Sequence, residues 1–284
     1  MPIHPTAIID PLAQLAADVE IGPYTIIDGP VRIGAGTVIG PHCHLLGSTV
    51  IGPRCRLHAS CVIGDFPQDR AYTGGESFCQ IGSDNIFREH VTIHRGTKEG
   101  TVTIVGDRCM FLASAHVAHN CVVGNDVTLV NSSMLGGYVH VGDRAVLSGN
   151  VGVHQFCRLG ELAMVGGLTY IRQDAPPFFM YDESGYCAGI NAVGLRRAGF
   201  TPEERAELKV AYRRLYRTLG TWSDAVTDLA LTMQHPAGRR LVEFLQAPSK
   251  RGFLARGVPR GQILEADEPS APPILRLRTD LDAA

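Results

Sequence analysis

An aliphatic side chain recurs at every sixth position along the first 176 residues of this 284-residue chain. The series runs from Ile3 through Ile9, Leu15, Ile21, Ile27, Ile33, Ile39, Leu45, Ile51 and Leu57 to Ile63. It resumes at Ile81, Phe87 and Ile93, and then continues from Val105 to Ile171. Phase survives both breaks, since 63 to 81 spans three periods and 93 to 105 spans two. Glycine often follows the aliphatic residue, as at Gly22, Gly34, Gly52, Gly124 and Gly142. A helix repeats every 3.6 residues and a strand every two, so neither element produces this pattern. A six-residue period is the mark of a parallel β-helix. The expected fold is mainly β, a single-stranded hexapeptide solenoid whose flat faces are short strands, each inward aliphatic residue stacking on its equivalent one coil away.

A second inward slot lies four residues after the aliphatic one and holds small residues such as Val19, Thr25, Thr37, Ala115 and Val127. Seven of the eight cysteines (Cys43, Cys55, Cys61, Cys79, Cys109, Cys121 and Cys157) fall in this slot, and Cys187 is in phase beyond the repeat. There is no CxxC pair, so the register predicts cysteines that line the interior, not metal or redox chemistry. The 32 glycines and the aromatic content of only 7 % fit the same lattice of small residues. Proline or glycine at the third position, as at Pro23, Gly29, Pro41 and Pro53, marks the corners.

Two polar segments, 65–80 and 96–104, interrupt the lattice and are predicted to be loops of functional interest. The repeat is expected to occupy 1–190, a small helical domain 191–255, and a flexible tail 256–284. Thr201-Pro202-Glu203-Glu204 reads as a capping box opening a helix with Leu208, Tyr212, Leu215 and Leu219 on one face. A second helix is predicted from a Ser223 cap to Met233, and a third from Pro236 to Leu245. A net charge of −2 argues against a nucleic-acid partner. No apolar run is long enough for membrane insertion, and the first residues lack the pattern of a signal peptide. A cytoplasmic location is therefore expected. Arginines and lysines gather between Arg197 and Arg251, as solvated helix faces or as a docking patch for an acidic partner.

Histidines carry the discriminating chemistry. His4 and His58 take the slot after the aliphatic residue in ordinary repeats and carry little weight, His94 and His154 take it next to interruptions and motifs, and His116 and His119 lie within Ala115-His116-Val117-Ala118-His119-Asn120-Cys121. His119 falls at a corner, so its ring is expected to leave the core and face solvent or a neighbouring subunit. Such an imidazole can take a proton from a hydroxyl near neutral pH. A zinc site of the carbonic anhydrase type would draw on His116, His119 or His140. The first two are expected to diverge, His116 on an inner face and His119 at the corner.

The segments QDRAYTG (68–74), TIHRG (92–96), AHVAHNC (115–121), VHQFC (153–157), MVGG (164–167) and GINAVGLRRAGF (189–200) occur in order. Together they resemble the acyl-carrier-protein-dependent UDP-N-acetylglucosamine O-acyltransferases of lipid A biosynthesis, over about residues 3–250. The resemblance implies a left-handed β-helix, a homotrimer with active sites between subunits, acyl carrier protein and UDP-N-acetylglucosamine as partners, and no cofactor or metal. It implies His119 as general base, followed by Asn120, and Gly137 as the oxyanion donor. It also implies Asp69, His116, His154 and Gln155 around the sugar, Asn191 and Arg197 at the nucleotide end, and Gly167 with Met164 at the acyl-length position. Ala71, Tyr138, Asn120 and Val193 stand where the family usually carries lysine, histidine, an acidic residue and glutamate. These departures leave open a 3-amino sugar nucleotide as acceptor, or a non-catalytic binder.

Overall fold

The computed structural model describes residues 3–183 and 185–254. Strands mostly two to four residues long follow one another around a coil and join three sheets of nine, eight and ten strands. Pairing is parallel between successive coils: Ile8 meets Ile26, His116 meets Met134, and Met134 meets Gly152. This is the left-handed parallel β-helix. Among the described residues only the last strand, Cys187–Ile190, runs antiparallel, against Phe179–Tyr181.

The inward slots behave as their register predicts. Ile27, Leu45, Ile63, Ile93, Val117, Leu135 and Val165 are all buried to 1 % exposure or less. All eight cysteines are free and buried. Burial pushes the Cys79 and Cys121 thiols up to about 12, so both stay protonated and unreactive at neutral pH. The second slot also has a polar logic. Thr25 and Thr37 donate to the carbonyls of Gly40 and Gly52 at 2.8 and 2.9 Å. The Cys43, Cys109 and Cys121 thiols donate to His58, Gly124 and Gly136 carbonyls at 3.1 to 3.2 Å. Cysteine there is a small apolar residue that still satisfies a corner carbonyl.

At the corners the residue after the third position takes a left-handed backbone, as at Tyr24, His42, Asn120, Tyr138 and Phe156, with φ between 57° and 67°. That conformation is costly for a side-chain-bearing residue. Its N–H donates to the third-position carbonyl one coil below, as His42 does to Pro23 and Tyr138 to His119, both at 3.0 Å. Corners therefore stack as strictly as strands.

The structure narrows both loops, because strand pairing is kept wherever register allows. Strands Val62–Asp65 and Phe78–Ile81 leave 66–77 as the first insertion. Strands Thr92–His94 and Val102–Val105 leave 95–101 as the second. Helix α1 (Ala192–Arg197) is an addition to the sequence reading, capped by Asn191. Helix α2 (Pro202–Tyr216) carries the capping box of Thr201 and Glu204. It ends before Leu219, which is 93 % exposed and not on its packed face. Helix α3 (Trp222–Thr232) is capped by Thr221, not Ser223, since the Thr221 hydroxyl accepts from Asp224 N–H. Helix α4 spans Pro236–Gln246. The tail 256–284 lies outside the described residues. No helix among the described residues is long and apolar enough to cross a membrane.

A buried ion pair fastens the helices to the coil. Asp174, fully buried, accepts from Arg158 Nε at 2.6 Å and from Arg158 N–H at 2.8 Å. The Arg158 guanidinium also lies 4.6 Å from the centre of the Phe244 ring, on α4. Arg158→Met leaves the carboxylate unpaired and is expected to cost about 3–5 kcal/mol of stability in urea unfolding. A loss below about 1 kcal/mol, the range of an exposed pair, would contradict this reading.

Candidate active site

Coil stacking brings together residues separated by whole turns of the helix. The outward positions Thr92, His116, Met134, Gly152 and Tyr170 pair in sequence along the first sheet. Beside this column, at the next corner, stand Ala118 and His119, then Gly136 and Gly137, then His154 and Gln155. The first insertion folds over them with Gln68 and Asp69. The result is a cleft of about 480 Å³ lined by His116, His119, Gly137, His154, Gln155, Asp69 and Tyr170, among others.

His119 leaves the β-helix interior, as a corner residue must, yet it is only 7 % exposed. Of the two expected surroundings, solvent or a neighbouring subunit, open solvent is corrected here, because the 66–77 loop and neighbouring corners cover the ring. Its Nδ1 lies 3.0 Å from Asn120 Oδ1. That oxygen also accepts from Thr97 N–H at 3.0 Å, which identifies it as the carbonyl end of the amide. Nδ1 is therefore assigned the proton and donates, and Nε2 keeps its lone pair. Nε2 faces the cleft, with Asp69 Oδ2 3.7 Å away. Gly137 makes this placement possible: a Cβ there would sit 2.5 Å from His119 Cε1. The Gly137 N–H makes no hydrogen bond among the described residues, so it remains a free donor.

His116 also points outward from its strand, while Val117 points in. It lines the same cleft as His119, so the expected divergence of the two rings is corrected. Its Nδ1 is 2.7 Å from Thr92 Oγ1, and its ring meets His94 in a T-shape at 4.9 Å. Burial first, then the neighbouring His94 and His119, pull the His116 imidazole down to about 4. Burial likewise lowers His94, which is 4 % exposed and whose Nδ1 bonds to no described residue. His94 belongs to this histidine cluster although its slot in the repeat is an ordinary one. The signal for it was the insertion that begins directly after it. His140 lies on a different sheet, between Val122 and Arg158. Among the described residues no three histidine, cysteine or acidic side chains are grouped to hold a metal ion, so the zinc ligand set is not assembled.

Arg95 holds the loop that carries Asp69. Its guanidinium lies 4.2 Å from the Phe66 ring centre and donates to Tyr72 Oη at 3.2 Å. Gly47 leaves room for it, since a Cβ at that position would fall 2.0 Å from Arg95 Nη1. Asp69 is further shaped by its own turn, with Ala71 N–H donating to Asp69 Oδ1 at 2.9 Å.

The remaining candidates lie elsewhere. Met164, Asn191 and Arg197 line a second, more apolar pocket of about 570 Å³ with Val146, Met180 and Val193. Asn191 is committed to the fold there, accepting from Gly194 N–H at 2.9 Å and donating to Leu162 O at 3.0 Å. Gly167 lines neither pocket, and a Cβ there would come no closer than 3.4 Å to any neighbour, Gly149 O.

Known proteins decide the family. Residues 174–254 match the family described as Udp N-acetylglucosamine O-acyltransferase, Domain 2, and residues 30–65 match bacterial transferase hexapeptide (six repeats). An acyl-[acyl-carrier-protein]–UDP-N-acetylglucosamine O-acyltransferase of Alkalilimnicola ehrlichii is 49 % identical over 257 residues, 89 % of this chain and 98 % of the relative. The chain belongs to this O-acyltransferase family. The protein of the same name from Thiobacillus denitrificans is 45 % identical over the same shares of the two chains. Solved acyltransferases agree in fold. The Francisella novicida UDP-N-acetylglucosamine acyltransferase has a TM-score of 0.86 at 36 % identity, covering 89 % of this chain and 94 % of its own. The Moraxella catarrhalis enzyme has the same score and identity, covering 89 % and 100 %.

The low value for His116 has a consequence for acid stability. Free histidine titrates near 6.5, so between about 6.5 and about 4 the unfolded chain takes a proton that folded His116 refuses. Stability is therefore expected to fall as pH drops through that window. His116→Gln should flatten the fall in urea melts between pH 6.5 and 4.5; parallel curves for the two proteins would contradict the assignment.

Proposed function

We propose that the chain transfers a 3-hydroxyacyl group from acyl carrier protein to the 3-hydroxyl of UDP-N-acetylglucosamine, in lipid A biosynthesis, with His119 as general base. The observation that carries this reading is the His119 ring, with Nδ1 bonded to Asn120 and Nε2 open to the cleft. Nε2 takes the proton of the sugar hydroxyl as that oxygen attacks the thioester carbonyl. The oxyanion that forms is met by the free N–H of Gly137. When the intermediate collapses, the C–S bond breaks and the protonated His119 returns its proton to the departing thiolate. Atoms and charge balance without a metal or an organic cofactor. Asn120 orients the base without adding negative charge, so Asp69 is the carboxylate nearest the imidazolium.

Around that step, Asp69, His116, His154 and Gln155 supply polar groups for the sugar. Arg197 supplies a cation for the diphosphate in the second pocket, beside Asn191 and Met164. The cleft lies on the first sheet, and the second pocket lies over the outward residues Val146, Met164 and Met180 of the third. Two partial pockets on different faces of one coil support a homotrimer in which one subunit's cleft is completed by the next. Arg196, Arg213 and Arg217 of the helical region suit an acidic carrier protein. Use of these water-soluble substrates supports a cytoplasmic location.

His119→Ala is expected to lower kcat by about 10²- to 10⁴-fold in an acyl-transfer assay with UDP-N-acetylglucosamine, and an unchanged rate would remove the general-base role. With no side chain at Gly167, donors of graded length should show a preference for long 3-hydroxyacyl chains. Preference for the shortest donor would contradict that assignment.

A further inference from the structure

The His119 ring has a second neighbour that the mechanism does not use. Tyr138 stands one coil above, and its ring meets the His119 ring in a T-shape, with centroids 5.3 Å apart and planes at 89°. The two residues are also joined through the backbone, Tyr138 N–H donating to His119 O at 3.0 Å. On its other side Tyr138 stacks on Phe156 of the following coil, at 4.9 Å and 17°. Lys250, from the segment after α4, places Nζ 4.8 Å from the centre of the Phe156 ring. A column therefore runs from the C-terminal segment through two rings to the base.

Resting on the general-base reading above, we infer that Tyr138 is a positioning residue for acyl transfer, holding the His119 imidazole in its reactive orientation through ring contact backed by Phe156. The reason is the small number of restraints on that imidazole. Its one short side-chain hydrogen bond is Nδ1 to Asn120 Oδ1, and one bond leaves the ring free to swing about it. The Gly137 backbone closes one side of the ring, and Tyr138 closes another. The Tyr138 hydroxyl makes no hydrogen bond to a described residue, so the ring and not the hydroxyl does the holding. The sequence shows why the contact exists: 120, 138 and 156 are one corner position in successive coils. An aromatic residue at 138 is thereby stacked beside the corner that begins with His119.

The test compares Tyr138→Phe, Tyr138→Leu and Phe156→Leu in the full chain, each first shown to melt within a few degrees of the wild type. Tyr138→Phe is expected to keep the wild-type kcat. Tyr138→Leu should lower kcat about tenfold or more, as misorientation of a reacting group does, with the KM for UDP-N-acetylglucosamine changing less than about twofold. Phe156→Leu should show part of the same kcat loss, and the double variant should lose no more than Tyr138→Leu alone. A readout independent of turnover is the ¹³Cε1 resonance of His119 in histidine-labelled protein, which should shift or broaden in Tyr138→Leu and hold in Tyr138→Phe. Equal losses in Tyr138→Phe and Tyr138→Leu would assign a direct role to the hydroxyl and overturn the inference. A rise in KM at constant kcat would place Tyr138 in sugar binding and overturn it equally. Should Tyr138→Leu fail to fold, full kcat in Phe156→Leu with an unmoved His119 resonance would overturn it too. If His119→Ala itself kept its rate, the base assignment would fail, while the resonance would still report whether Tyr138 orients the ring.

Discussion

Everything in this molecule depends on the stacking of one coil on the next in strict register. Val117 lies over Leu135, and Leu135 over Val153, each pair joined by parallel backbone hydrogen bonds. Strands of two or three residues have no stability alone. They persist because each coil buries its aliphatic residues against the coils above and below, at about 1.5–3 kcal/mol for each fully buried side chain. A slip of one residue would turn every inward side chain outward. The insertions accordingly sit between whole strands and leave the register of the coils beyond them unchanged.

The same register builds the candidate site. His119, Gly137 and Gln155 occupy one corner position in three successive coils, and Ala118, Gly136 and His154 the position before it. Neighbouring coils are about 4.8 Å apart, so an imidazole, a free backbone donor and a polar side chain are delivered side by side without any loop having to find its place. Glycine at 136 and 137 has a particular use here. A side chain at either would strike the coil above or the His119 ring itself. The scaffold is rigid, and what it holds in position is a small set of polar groups whose spacing is one coil.

Periodicity made the coil legible from the residues alone. The aliphatic slots from Ile21 onward, each cysteine and the capping box of α2 sit where the pattern puts them, because those features are decided by neighbours at fixed separations. Motif resemblance added His119, Gly137 and the cleft residues. What stayed hidden depends on contacts that no period encodes. The burial of His119 follows from a loop that leaves an earlier coil and reaches over the corner that carries it, and that loop is held by Arg95 between Phe66 and Tyr72. The role of Gly47 in admitting Arg95 could not be seen before the fold brought them together. His94 shares its slot with His4 and His58, and the interruption beside it marks it out; its ring contact with His116 needs the fold to be seen. Helix α1 is only six residues long, too short for a hydrophobic stripe, and its cap, Asn191, had been assigned through resemblance to ligand binding.

The central claim is that this register leaves His119 with a proton on Nδ1 and a bare Nε2 in the cleft. ¹⁵N spectroscopy of the histidine-labelled protein, with His119 assigned through His119→Gln, reads that state directly. The account predicts a neutral ring with the protonated nitrogen at Nδ1 and the unprotonated one at Nε2. A proton on Nε2 in the resting protein would contradict it, because the nitrogen facing the cleft could then accept none.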